Sequence, residues 1–458
     1  MRTDEPRSPF LRHAARRVRT LPEWVGPVII VGLRLVLDVW ILHHGFTHVS
    51  DDDYSRTTIS ELFAHAPRLD PSGTSWLPLP FWIEGTLLAL FGRSLGVARI
   101  IAAGLSAAGS ALPYCAMRSS GTSRICALTA SCIAALLPWN VWLGVATVPD
   151  GWVGALTAAG VIGALGARRH RGAWAIALLA ASLSRYETWS ACAVVASMSL
   201  LDGIRHRDLP RASTTIGLSA LGPGLWMMWN AHAHGSMVHF LSRVSAFRRA
   251  VGAAAEPMST KLVGYPTALW VESSEVVVLG IAAIIGLALF SDIRERWARP
   301  TVVGGAILVF LVIGDVGDGA PTHHPARALV AFGWLLVAAG VDAIRAIFDR
   351  LSEFAPTLRL VLVLVCACVG ATWCVLLPER WKAAPGRSPW DDRSVQISRG
   401  LELRKSDVER IVVTPCQFEH FALMAAWGRP ERALVGRATG GPPTSECPRI
   451  DIESDNRR

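Results

Sequence analysis

Three consecutive carboxylates, Asp51, Asp52 and Asp53, stand near the start of the stretch 43–85. Arg56 follows within one helical turn, and the run Trp76-Leu77-Pro78-Leu79-Pro80-Phe81-Trp82 closes the stretch. Adjacent residues on a helix point about 100° apart, so one Asp can face a cavity while a neighbour caps or pairs. Asp51 is placed to cap a helix that starts at Asp52. A cap accounts for one carboxylate and leaves Asp52 and Asp53 as candidates for a proton-accepting base.

The basic residues that would complement such a base lie in three later segments. Arg185-Tyr186-Glu187 interrupts what would otherwise be one long apolar helix, and such breaks are tolerated where they line a cavity. The segment 232–264 reads as a long polar loop with Arg243, Arg248, Arg249 and Lys261, together with His232, His234 and His239. It is either a solvated loop meeting headgroups or a site for a lipid-linked phosphate, since Arg offers paired donors to phosphate oxygens. His323, His324 and Arg327 crowd the segment before the next apolar run. Adjacent His side chains diverge, so contact with phosphate or sugar is favoured over metal ligation.

These residues need a scaffold, and composition names it. The chain has 458 residues, of which 51% are hydrophobic and 18% charged, with a mean hydropathy of +0.36. Repeated apolar runs of about 18–22 residues mark helices able to cross a bilayer. Period-2 alternation is absent, which excludes a spanning barrel. The fold class is therefore an all-α polytopic membrane protein.

The spans read as about 25–42, 96–117, 125–143, 151–167, 173–183, 190–201, 212–231, 271–290, 301–314, 327–345 and 359–377. The formal charge of +9 sits in short Arg-rich connectors, which speaks for membrane orientation and against nucleic acid. Six arginines between Arg2 and Arg19 place the N-terminal tail, 1–24, in the cytoplasm. About eleven crossings then leave every Arg-rich connector inside and the first outer loop, 43–95, outside. In that loop, Trp76, Pro78 and Trp82 form a wall, and 77–92 reads as a helix lying in or dipping into the outer leaflet. Arg34 and Asp38, at i,i+4 in the first span, read as an ion pair within the bundle.

After the membrane domain, 25–378, the region 379–458 changes character and falls outside. Arg410–Thr414 reads as a strand, 419–427 as an amphipathic helix and Arg432–Val435 as a second strand, making a small extracytoplasmic α/β appendage. Of nine cysteines, Cys416 and Cys447 alone lie in this polar region, where an oxidising compartment allows them to pair.

An acidic cluster just after the first span, an Arg soon after and a Pro-Leu-Pro/aromatic run further on resemble the polyprenyl-phosphate-sugar-dependent glycosyltransferases of the GT-C fold. Among them, the chain is similar to the bacterial relatives of dolichyl-phosphate-mannose protein mannosyltransferases and of the aminoarabinose transferase. The resemblance covers the first loop and the overall topology, and hardly reaches the tail. It implies an inverting transfer of a sugar, a mannose-like hexose or another, from a polyprenyl-phosphate carrier to an extracytoplasmic acceptor. That acceptor is a protein, glycan or lipid of the cell envelope.

The family's acidic residue in the first outer loop acts as general base. By position that is Asp52 first and Asp53 second, because three Asp stand where the family shows Asp-Glu or a single acid. Donor-phosphate contacts would fall to Arg56, Arg185, Arg243, Arg248, Arg249, His323, His324 and Arg327. No cofactor is implied, and a divalent metal stays open. A transporter or flippase of a lipid-linked saccharide would use the same loops without cleaving a bond.

Overall fold

The computed structural model describes residues 22–166, 170–250, 256–319, 324–385, 391–406, 408–438 and 447–452. The first helix, α1 (Val25–His43), buries Ile30, Arg34, Leu37, Asp38 and Ile41 on one stripe and exposes Val28, Leu35, Val36 and Val39 on the other. A stripe with two charges facing protein and aliphatics facing out suits a helix whose outer side meets lipid. The segment after α1 holds two helices, α2 (Asp52–His65) and α3 (Leu79–Phe91), before α4 (Leu95–Ser119).

The expected span 125–143 is not continuous. It divides into α5 (Arg124–Leu136) and α6 (Pro138–Val145), bent by 71°. Pro138 has no N–H to continue the ladder, so carbonyls at the end of α5 lose their partners. Side chains replace them. Arg34 donates to Ala135 O at 3.4 Å and to Val141 O at 2.9 Å, while Asn140 donates to Ala134 O at 2.6 Å.

The same guanidinium pairs with Asp38 at 2.9 Å. It lies where a Cβ on Gly144 would fall. Gly144→Ala is therefore expected to cost at least about 1–3 kcal/mol by overpacking, read as a lower unfolding temperature in detergent. An unfolding temperature equal to wild type would contradict this account of the bend.

Next come α7 (Asp150–Gly166), α8 (Arg171–Ser182), α9 (Glu187–Arg205) and α10 (Leu209–His234). The segment expected as a polar loop over 232–264 is instead largely helical, because it carries buried anchors among its charges. It comprises the end of α10, then α11 (His239–Ala250) and the start of α12 (Met258–Glu272). Phe240 is buried against Leu77 and Trp226, and Arg248 and Tyr265 are also buried. A 101° break at Ser273 separates α12 from α13 (Ser274–Leu289).

The bundle closes with α14 (Ser291–Val316), the short α15 (Pro325–Ala328), α16 (Val330–Phe354) and α17 (Pro356–Lys382). Among the described residues, α1, α4, α14, α16 and α17 are long and apolar enough to cross a membrane. With each bent pair counted as one span, the number rises to seven. The chain is a multi-pass membrane protein. Helix α16 is the mast of the bundle, with 78% of its apolar window buried, whereas that figure for α17 is 6%. The C-terminal end of α17 is tethered: Trp381 donates to Leu136 O at 2.9 Å, and Trp373 and Arg380 both bond Glu275.

The chain ends in α18 (Ser394–Lys405), β1 (Ile411–Thr414), α19 (His420–Trp427), β2 (Ala433–Val435) and β3 (Arg449–Ile452). The sheet order is β2-β1-β3, with β1 parallel to β2 and antiparallel to β3. Cys416 and Cys447 form a disulfide.

Helix α19 is not amphipathic as expected. His420 and Ala422–Trp427 are all buried, because the helix is covered from two sides. Leu423, Met424 and Trp427 pack with Ile411 and Val413 of β1, while Ala422 and Ala425 pack on Tyr54 of α2.

Candidate active site

The head of α2 and three breaks in the bundle, between α6 and α7, α8 and α9, and α14 and α16, converge on one set of charges. Asp53 is turned inward. Its Oδ2 accepts from the backbone N–H groups of Val49 (3.1 Å) and Ser50 (3.2 Å), and its Oδ1 from that of Thr147 (2.9 Å). The hydroxyl of Thr147 also donates to Asp53 O at 2.6 Å. Burial pushes the Asp53 carboxyl up to about 6, against the N–H donors and the Arg327 charge that pull it down. This side chain clamps the helix head to the segment between α6 and α7.

Asp51 does not cap with its side chain as expected. It occupies the N-cap position of α2, but its two oxygens take a bidentate fork from Arg393, at 2.8 and 2.9 Å. The backward cap falls to Asp53 instead, because the chain turns so that Val49 and Ser50 present their N–H groups to it.

Asp52 is the most exposed member of the triplet. Its Oδ2 accepts from Arg327 Nη1 at 3.2 Å, and the side chain remains 33% exposed. Arg327, on α15, also donates to Ser50 Oγ at 3.1 Å and, through Nε, to Asp150 Oδ1 at 3.3 Å. Asp150 is fully buried at the head of α7 and is shared with Arg185, whose Nη1 lies 3.2 Å away. Arg185 also donates from Nε to Glu187 at 2.7 Å. A chain of alternating charge thus runs Asp52–Arg327–Asp150–Arg185–Glu187.

Burial works against the Arg327 charge, but Asp150 and Asp52 outweigh it and hold its pKa above the ordinary value. Arg56 lies beside this chain, with its guanidinium carbon 4.3 Å from the centre of the Trp76 ring and 5.6 Å from that of Phe81. Burial draws the Arg56 pKa down to about 10, against Asp52 and Asp150. Among the described residues, its buried Nε meets no acceptor.

A second group lies behind Tyr265. Arg248 of α11 pairs with Asp315 at 2.6 Å, and Lys261 of α12 with Asp318 at 2.7 Å. Tyr265 is 1% exposed, and its hydroxyl meets no partner among the described residues.

The sequence-derived residues therefore divide. Asp52, Arg56, Arg185 and Arg327 are brought together, with Trp76 under Arg56. Arg248 belongs to the second group. Arg243 and Arg249 are exposed on α11 and enter neither group of ion pairs among the described residues. His324 sits at the N-cap of α15, its ring 5.6 Å from that of Trp139. His323 lies outside the described residues. Pro78 holds the N-cap position of α3, and the Trp82 indole donates to Leu69 O at 3.1 Å, bracing the loop.

Asp150 was missed in the sequence, where Pro149-Asp150 reads as a turn. The available signal was an acid at the head of an apolar span, the same signal that marks the triplet.

No protein-family model matches the chain, and no curated protein matches it in sequence. Solved structures do match. Cupriavidus metallidurans ArnT bound to undecaprenyl phosphate superposes with a TM-score of 0.53 at 14% identity, covering 90% of this chain and 89% of that one. The chain has the GT-C fold. The same ArnT in the apo state gives a TM-score of 0.44 at 15% identity, covering 89% of this chain and 75% of that one. An Archaeoglobus fulgidus oligosaccharyltransferase in complex with Zn and sulfate also gives 0.44, at 12% identity, over 82% of this chain and 55% of that one. On this GT-C scaffold the charged chain described above lies at the loops between helices.

Proposed function

We propose that the protein is an integral membrane glycosyltransferase that moves a sugar from a polyprenyl-phosphate carrier to an extracytoplasmic acceptor. The observation that carries this reading is the juxtaposition of an accessible carboxylate, Asp52, with three buried guanidiniums, Arg56, Arg185 and Arg327. In this reading the N-terminus is cytoplasmic and an odd number of crossings puts the site and the C-terminal unit outside. The disulfide supports that side of the membrane.

The acceptor hydroxyl attacks C1 of the sugar from the face opposite the phosphate, and its proton passes to Asp52. The bond from C1 to the phosphate oxygen breaks, its electron pair stays on that oxygen, and the anomeric configuration inverts. Arg56, with its unused buried donor, and Arg327 and Arg185 hold the charge of the departing phosphate, so it leaves without protonation. Asp53 keeps the helix head in place and is not the base. The guanidinium of Arg327 stands between Asp52 and Asp150, where a divalent ion would otherwise bridge two carboxylates. No metal is required in this reading.

Purified protein in liposomes, given polyprenyl-phosphate mannose labelled in the sugar and cell-envelope membranes as acceptor, tests the reading. Labelled sugar should pass to the membranes with stoichiometric release of polyprenyl phosphate, undiminished by EDTA. Movement of intact lipid-linked sugar between leaflets without release would support a transporter instead, and a requirement for added metal would overturn the role of Arg327.

A further inference from the structure

The head of α2 is held from three directions. Thr147 holds Asp53 and Arg327 holds Ser50 and Asp52, both from within the bundle. The third hold comes from the far end of the chain, where Arg393 forks both oxygens of Asp51. The Arg393 side chain is 7% exposed. A buried planar fork fixes the angle as well as the distance of its carboxylate, which a lone ammonium does not.

This ion pair is one end of a longer seam. Tyr54 of α2, 0% exposed, is covered by Ala422 and Ala425 of α19, with Ile397 and Phe421 beside it. Thr58 donates to Phe421 O at 3.5 Å. At the foot, Glu431 pairs with Arg93 at 2.8 Å, and Arg404 donates to Arg93 O at 2.7 Å. The C-terminal unit thus splints the outer side of α2 along its length, while its inner side presents Asp52.

We propose that Arg393 is a positioning residue for Asp52, acting through Asp51. Asp51 immediately precedes Asp52 at the first turn of the helix, so releasing its carboxylate lets that turn fray and carries Asp52 off its line to the substrate. The inference rests on Asp52 being the base. It adds that the C-terminal unit is part of the catalytic apparatus without touching substrate.

The test compares wild type, Arg393→Ala, Arg393→Lys and the reversed pair Asp51→Arg with Arg393→Asp, in the liposome assay. Arg393→Ala should lower kcat about 10- to 100-fold, the scale of a displacement near 1 Å. The donor KM should stay within about twofold, because Arg56, Arg185 and Arg327 are untouched. Lys should recover part of the loss, and the reversed pair most of it.

Amide hydrogen exchange over residues 50–56 should rise in Arg393→Ala, with residues 60–65 unchanged. An unaltered kcat, or a loss that neither Lys nor the reversed pair recovers, overturns the proposal. So does unaltered exchange over 50–56, whatever the activity. If Asp52→Asn keeps full transfer, the base assignment falls, and the exchange measurement alone decides whether this ion pair orders the helix head.

Discussion

Asp52→Asn is expected to lower kcat by about 10²–10⁴-fold, the usual contribution of a positioned general base. Its effect on donor binding should be small. An amide oxygen can still accept from Arg327, as the Asp52 carboxylate does at 3.2 Å, so the guanidinium keeps its place. What is lost is the capacity to take a proton.

The neighbouring Asp53→Asn should behave differently. Its carboxylate accepts from three backbone N–H groups, those of Val49, Ser50 and Thr147. An amide must point its NH2 at one side of that arrangement, leaving buried donors unpaired at a cost of about 1–3 kcal/mol. The expected signature is a lower unfolding temperature together with lost activity. Turnover at saturating donor and thermal unfolding, measured side by side, separate the two residues. Full transfer by Asp52→Asn, with Asp53→Asn folded normally and inactive, would reverse the assignment.

The second large effect is expected at Asp150. Its carboxylate is fully buried and shared by Arg185 at 3.2 Å and Arg327 at 3.3 Å. Asp150→Asn leaves two buried guanidiniums facing each other with their common counter-charge gone. Breaking a buried ionic cluster from one side costs about 3–5 kcal/mol, most of it the penalty of the stranded charge.

The guanidiniums would be expected to relieve this by turning away or drawing in an anion, and either response displaces Arg327 from Asp52. Both the unfolding temperature and kcat should therefore fall. Glu187→Gln removes only the outer partner of Arg185, and its effect should be clearly smaller on both measures. Equal losses from the two variants would mean that Asp150 is not the hub of the charge chain.

The difference between Asp52 and Asp150 also marks what a reader of the sequence can see. The triplet is visible because three acids in a row at a membrane surface are costly unless something uses them. The two roles within it, clamp and open carboxylate, depend on Thr147 and Arg327, which lie 94 and 275 residues away along the chain.

Asp150 looks like half of a turn until Arg185 and Arg327 are brought to it. The bend between α5 and α6 was announced by Pro138, but a run of apolar residues on both sides masks it in a hydropathy reading. The helical nature of 239–250 was hidden for the opposite reason. Its buried Phe240 and Arg248 stand among mostly exposed residues, polar Ser242, Arg243 and Arg249 and apolar Leu241 and Phe247. The β1 segment was visible because the β-branched run Ile411–Thr414, bounded by turn residues, has few other uses.

The seam between α2 and the C-terminal unit has a consequence in time. Asp51 and Arg393 are separated by 342 residues. At synthesis rates of about 5–20 residues per second, the partner of α2 is made roughly 17–70 s after the helix itself. Through that interval Tyr54 has no cover from Ala422 and Ala425, and the helix head lacks one of its three holds. The membrane helices of a nascent chain are therefore made well before this seam can close. A chain that stops short of residue 393 would keep the membrane domain and be left waiting.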